Sequence, residues 1–371
     1  MPLAEAASAG EVSRSPELAE GKRVREVRIK EPVKNGNPVE RARRVFVTRP
    51  IAQPALRRLA QEARVELWDD DLPPAHDELL RGLGRADAVL SMVSDRLDAA
   101  TIAALPHLVA ISNLAVGVDN VDLEAATRAG IPVGHTPDVL TETTADLAFA
   151  LMMAVARRVV EGDQFVRAGK WRTWTPKLML GRDIWGATLG IIGWGAIGQA
   201  VARRGAGFGM RILYISRKSA DRPQTNTPYA ECADLARLLA ESDFISIHVP
   251  LTEATRHMIG AHELAAMKSN AIIVNTARGA VIDHAALTAA LETGRIAGAG
   301  LDVTETEPID PRDPILKLPC VVITPHIASA SLATRLKMAE LAVDNLLDVF
   351  AGRLPRCCAN PNVKLRSADE S

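Results

Sequence analysis

Arg278, Asp302, Glu307 and His326 are residues of the types that bind a carboxylate and move a proton. They stand in "NTARGAVID", "GLDVTETEP" and "ITPHIASAS", each at or just beyond an apolar run that reads as a strand. In open α/β sheets, ligands bind outside the carboxyl ends of the strands. Any one of these residues alone would pass for a surface ion or a capped loop, but three such segments in succession point to one site. An arginine fork suits a planar anion, and an imidazole can exchange a proton near neutral pH. A carboxylate beside the imidazole orients it and favours its charged form.

Upstream lies "LGIIGWGAIGQAVARRGAGFGMRILYISRK", Leu189 to Lys218. Gly193, Gly195 and Gly198 fit G-x-G-x-x-G after a buried-type strand and at the start of a helix, the setting expected of a dinucleotide turn. The first glycine permits the turn, and the second lets backbone N–H groups approach a pyrophosphate. The third allows close helix–strand packing, with Ala196 and Ile197 at the helix N-terminus facing the anion. An acid about 20 residues later would hold the adenine ribose. That place instead reads Ser216-Arg217-Lys218. A hydroxyl and two cations suit a 2′-phosphate, so NADP(H) is expected ahead of NAD(H).

The elements that must position these groups form two series. At 371 residues the chain is long for one core, so two domains are expected. From Arg43, the runs "RRVFVT", "RVELWD", "DAVLSMV", "LVAISNLA" and "IPVGHTP" alternate with helical segments, implying a parallel sheet covered on both faces. One helix is expected over "TETTADLAFALMMAVARRVVEGDQFVRAGKW", started by a capping box at Thr143 and Asp146, stopped at Gly169, and connecting the domains. Six further strands follow from Thr188, and "LATRLKMAELAVDNLLDVFAG" should return to the first domain. The expected division is 1–42 as a disordered extension, 43–142 completed by 327–363, 143–326, and a tail at 364–371.

Composition excludes several classes. A net charge of −1 gives no reason to expect nucleic acid or an acidic surface as partner. No apolar run is long enough to cross a bilayer. The first 42 residues mix both charge signs without an aromatic residue or the apolar core of a secretory signal. Cys232, Cys320, Cys357 and Cys358 form no C-x-x-C, and a reduced, cytoplasmic protein without a metal is expected.

Taken together, "NLAVGVDNVDL", "TETTADLAFALMMAVARR", "WRTW", "TLGIIGWGAIGQAVARR", "NTARG", "GLDVTETEP" and "PHIASA" resemble the D-isomer-specific 2-hydroxyacid dehydrogenases. Within them, the chain is most similar to the glyoxylate/hydroxypyruvate reductases, from Arg43 to about Val363. The resemblance implies an α/β protein of two doubly wound parallel-sheet domains, a flavodoxin-like substrate domain and a Rossmann domain, with a cleft between them. It implies that Arg278 binds the substrate carboxylate, His326 is the acid and Glu307 orients it. It places Val116 and Gly117 N–H groups on the carboxylate, and Pro250, Thr276 and Asp302 on the cofactor, Asp302 near the nicotinamide amide. It also implies a homodimer in which Trp174 reaches the neighbouring active site, though Trp171 and Trp174 could equally pack a helix end. Ala196 stands where the family usually has arginine, and Trp194 is bulky for its place. Glu307 argues against a formate dehydrogenase. D-3-phosphoglycerate or broad-specificity D-2-hydroxyacid dehydrogenases, and a nucleotide-sensing corepressor on the same fold, remain alternatives.

Overall fold

The computed structural model describes residues 23–27, 43–216 and 229–365. They divide into two compact units, one within Met1–Val139 and Leu332–Ser371, the other within Leu140–Ser331. The breaks thus fall at 139/140 and 331/332 rather than at the expected 142/143 and 326/327.

In the first unit, β2 (Arg44–Val47), β3 (Arg64–Trp68), β4 (Ala88–Ser91), β5 (Ala110–Asn113) and β6 (Val133–Gly134) are mutually parallel, in the order β3-β2-β4-β5-β6. One edge carries a strand that the sequence did not reveal. β1 (Val24–Val27) runs antiparallel to β3, from Val24 opposite Trp68 to Val27 opposite Val65, and Arg23 pairs with Asp70 at 3.2 Å. Two valines flanking the charged pair Arg25-Glu26 give no apolar run. The exposed edge of β3 supplies the pairing that their own pattern cannot. Part of the expected disordered extension is therefore sheet, and residues 1–22 and 28–42 lie outside the described residues.

α1 (Gln53–Glu62) and the returning helix Leu332–Phe350 cover one face of this sheet, with Leu56, Leu59, Ala342, Val343 and Leu346 packed against Val45, Leu90 and Ala110. The opposite face is closed by α2 (His76–Leu83), α3 (Ala99–Ala103) and α4 (Leu123–Arg128), which bring Leu79, Leu83, Ile102 and Ala126 against Phe46, Val89 and Ile111. Asp98 and Asp122 cap α3 and α4 by accepting from the backbone N–H groups of Thr101 and Ala125.

The second unit is a seven-stranded parallel sheet. It comprises β7 (Thr188–Ile192), β8 (Arg211–Ile215), β9 (Ala230–Cys232), β10 (Phe244–Ile247), β11 (Ile272–Asn275), β12 (Gly298–Leu301) and β13 (Val321–Ile323). Their order is β13-β12-β11-β10-β7-β8-β9. The order reverses beside β7, so the turn after β7 stands at the switch point where such sheets bind nucleotides. Six strands were expected. β9 adds the seventh, and its sequence Ala-Glu-Cys carries no strand pattern of its own.

The long helix expected after residue 140 is two helices, α5 (Thr141–Ala156) and α6 (Val159–Arg167), because Arg158 turns left-handed at φ 53°. Thr143 and Asp146 lie inside α5 rather than capping it, and Asp146 instead pairs with Arg204 at 2.6 Å. Nor is α5 a linker. Ala145, Ala148, Phe149, Leu151 and Met152 are buried against Ile191, Ile272 and Val274 of the second sheet, so it is a covering helix of that unit. Gly169, at φ 66°, does follow the end of α6 as a stop.

Candidate active site

Because the strands of the second sheet are parallel, the residues following β7, β10, β11, β12 and β13 share one edge. Those residues are the glycine turn at 193–198, His248 to Pro250, Thr276 to Arg278, Asp302, and Thr324 to His326.

His326 is the most constrained of them. It holds a left-handed backbone at φ 54°, uncommon for a residue with a side chain. Asp302 maintains that turn. Its carboxylate is 1% exposed and accepts from Thr324 Oγ1 at 2.6 Å and from the N–H groups of Ile327 and Ala328, each at 2.8 Å. The Asp302 carbonyl accepts from the His326 N–H at 2.9 Å. His326 Nδ1 then lies 2.8 Å from Glu307 Oε2. Burial pushes the Glu307 carboxyl up, but the bonded His326, the Thr304 N–H and the Arg278 charge outweigh it, so the group titrates below its ordinary value.

Arg278 follows β11 and is aimed by its neighbours. Buried Asn275 accepts from the Ala277 N–H at 3.0 Å and donates to the Arg278 carbonyl at 2.8 Å. Arg278 Nη1 donates to the Ala277 carbonyl at 2.8 Å. A side chain at Gly279 would overlap the backbone of Thr304, so glycine there lets the Arg278 turn and the loop leading to Glu307 approach closely. Asn275, Thr304 and Thr324 lie within motifs singled out from the sequence, yet only the folded geometry shows that they hold the reactive groups.

The glycine turn suits an anion. Gly193 takes φ 106°, and a Cβ there would come within 2.6 Å of the His248 carbonyl. Gly195 starts α7 (Ala196–Gly207), and no side chain caps it, leaving first-turn N–H groups of the Ala196–Gly198 segment as donors. A Cβ at Gly195 would meet no atom of the described residues within 4 Å, which leaves space beside the turn among them. Two buried polar atoms nearby lack partners among the described residues: Thr276 Oγ1 and the Nε1 of Trp194, whose ring stacks on Tyr214 at 3.9 Å. Uncapped helix donors, open space and an orphaned hydroxyl on one edge fit a bound dinucleotide. His248 Nε2 is bonded to Ser246 Oγ at 2.8 Å, and burial drives its imidazole down to about 3, so it is neutral near pH 7.

Pro250 lies on the same edge, its carbonyl accepting from Thr255 Oγ1, and Ser216 directly follows β8. Arg217 and Lys218, on which the 2′-phosphate expectation rests, lie outside the described residues. Val116 and Gly117 follow β5 in the first unit. Trp171 and Trp174 are 60% and 77% exposed, so neither is buried against a helix end among the described residues. Among the described residues, no group of three or more His, Cys, Asp or Glu side chains could hold a metal ion. No helix there is long and apolar enough to cross a membrane.

Residues 149–328 match the family model of the D-isomer specific 2-hydroxyacid dehydrogenase NAD-binding domain. A glyoxylate reductase of Korarchaeum cryptofilum is 51% identical over 323 residues, spanning 86% of this chain and 96% of that one. Among solved structures, the TT0316 protein of Thermus thermophilus is 48% identical with a TM-score of 0.80, over 85% of this chain and 99% of that one. An NADPH-dependent glyoxylate/hydroxypyruvate reductase of Sinorhizobium meliloti, solved with NADP and malonate, is 31% identical with a TM-score of 0.76, over 88% and 99%. With the His326–Glu307 pair, Arg278 and the glycine turn all on one sheet edge, the chain belongs to the D-isomer-specific 2-hydroxyacid dehydrogenase family.

Proposed function

We propose that the chain is an NAD(P)H-dependent reductase of small 2-keto acids, converting glyoxylate and hydroxypyruvate to glycolate and D-glycerate. The observation that carries this reading is the His326–Glu307 pair, held on the sheet edge that also bears Arg278 and the glycine turn. Arg278 takes the substrate carboxylate and polarises the keto oxygen. With Nδ1 committed to Glu307, Nε2 of His326 is the nitrogen left to deliver a proton to that oxygen. Glu307, held ionised, stabilises the charged imidazole before it gives up its proton. A bound nicotinamide supplies the hydride. In the oxidative direction His326 is the base. The Val116 and Gly117 N–H groups are further carboxylate donors.

Purified protein mixed with NADPH and glyoxylate should consume reduced nicotinamide. No turnover with glyoxylate, hydroxypyruvate or pyruvate would remove the reading in favour of a binding protein on the same fold.

The dinucleotide sits at the turn of Gly193, Gly195, Ala196, Ile197 and Gly198, with Pro250, Thr276 and Asp302 along the same edge. Gly195→Ala tests this placement directly. The added methyl touches no atom of the described residues, so the thermal midpoint should stay within about 2 °C while NADPH affinity falls at least about tenfold. Unchanged affinity would place the pyrophosphate elsewhere. For the 2′-phosphate, Ser216, Arg217 and Lys218 favour NADP(H). Arg217→Ala with Lys218→Ala should weaken NADPH about tenfold or more and leave NADH nearly untouched, and equal losses would mean these cations do not read the phosphate.

The chain acts as a homodimer. Supporting this, the second unit exposes Val159, Trp171, Trp174, Leu180 and Trp185, large apolar side chains that are costly to leave in water. Trp174, from the neighbouring copy, limits the substrate to small keto acids. Light scattering that returned a monomer at assay concentration would remove this part of the reading. The described cysteines are all unpaired, which accords with a reducing cytoplasm.

A further inference from the structure

The loop after β5 has its carbonyls occupied one after another. The Ala115 carbonyl accepts from the Thr136 N–H at 2.8 Å, and the Val116 carbonyl lies 2.9 Å from His135 Nδ1. The Gly117 carbonyl accepts from Asn113 Nδ2 at 3.0 Å. A carbonyl can only accept, so His135 carries its proton on Nδ1. The holders are themselves held. Asn113 is fully buried, accepts from Ser91 Oγ at 3.1 Å, and donates to Asn120 Oδ1 at 3.0 Å. Asn120 donates in turn to the carbonyls of Met92 and Asp95. The His135 carbonyl accepts from Asn345 Nδ2, and its N–H donates to the Cys357 carbonyl.

In a planar trans peptide, the carbonyl of one residue and the N–H of the next point in opposite directions. Pinning the carbonyls of Ala115, Val116 and Gly117 therefore turns the N–H groups of Val116, Gly117 and Val118 away from those anchors. None of the three N–H groups has a hydrogen-bond acceptor among the described residues. Successive unpaired backbone donors of this kind make an anion-binding concavity.

We propose that His135 and Asn113 are positioning residues for substrate: by holding the Val116 and Gly117 carbonyls, they present three consecutive N–H groups, Val118 included, to the carboxylate of the keto acid. This rests on the keto-acid reductase reading. Neither residue touches substrate. Their action is on loop geometry, so they set substrate affinity and take no part in the proton or hydride steps.

The test compares His135→Phe, which keeps a ring but loses the donor, with His135→Asn, whose Nδ2 stands at nearly the same reach as Nδ1. Two quantities are read: KM and kcat for glyoxylate with NADPH, and calorimetric binding of oxamate, an unreactive keto-acid mimic, to the NADPH-loaded protein. His135→Phe should raise KM and the oxamate Kd about five- to tenfold, with kcat and the NADPH Kd within twofold. His135→Asn should restore both to within about twofold of the parent. If His135→Phe does not fold, His135→Ala is measured in its place. A folded donor-less variant that keeps parental KM and oxamate affinity overturns the inference while leaving the reductase reading intact. A parent protein that neither turns over keto acids nor binds oxamate overturns both.

Discussion

Replacing His326 with alanine is expected to lower kcat for glyoxylate about a hundred- to ten-thousandfold, while the NADPH Kd stays within about threefold. The size follows from what general acid catalysis contributes when one positioned group supplies the proton. The selectivity follows from placement. The glycine turn follows β7 and His326 follows β13, with β12, β11 and β10 between them in the sheet. Removing the imidazole takes no donor from the turn, and the backbone bonds from Ile327 and Ala328 to Asp302 do not involve the ring. Glu307→Gln should fall short of this loss. Glutamine can still accept from Nδ1 but carries no charge to stabilise the imidazolium. Steady-state kinetics with fluorescence titration of NADPH separates the effects. Activity retained in His326→Ala would assign the proton to another group.

The grouping of the candidate residues was more legible in the sequence than the elements around them, for a physical reason. Arg278, Glu307 and His326 follow strands whose uninterrupted apolar runs mark a doubly covered parallel sheet, and parallelism alone puts their ends on one edge. The glycine turn was legible because backbone geometry demands glycine where φ is positive and where another segment of backbone passes close, as His248 does at Gly193. What escaped depends on tertiary partners. β1 and β9 borrow their structure from the edges of β3 and β8, and their own four and three residues say little. The break at Arg158 falls inside an apolar pattern that runs on regardless, and α5 owes its allegiance to the groove it fills rather than to its length. Nor could spacing show the work of Asn113, His135, Asn275 or Asp302, because a polar side chain's partner is known only once the loops have met. Asp302 is the sharpest instance: the family resemblance implies a place beside the cofactor, and the fold adds three donors from the His326 loop to its carboxylate.

That arrangement makes Asp302→Asn the second large-effect substitution. A buried carboxylate is tolerated only where donors replace its lost water, and Thr324 Oγ1 and the N–H groups of Ile327 and Ala328 do so here. In asparagine, one oxygen becomes an NH2. With the remaining oxygen facing Thr324 and Ile327, the new amide meets the Ala328 N–H donor to donor. Turning it the other way sets the NH2 against the Ile327 N–H instead. Either orientation loses the clamp that keeps His326 at φ 54°, and a reacting group displaced by about 1 Å can lose about a hundredfold in rate. The expected result is therefore a fall in kcat of about a hundredfold with glyoxylate, a lower thermal midpoint, and an NADPH Kd within about threefold of the parent. The ratio of these effects decides what the carboxylate does. A collapse of NADPH affinity with kcat nearly kept would mean that Asp302 acts on the nicotinamide amide, and that the His326 turn holds its shape without it.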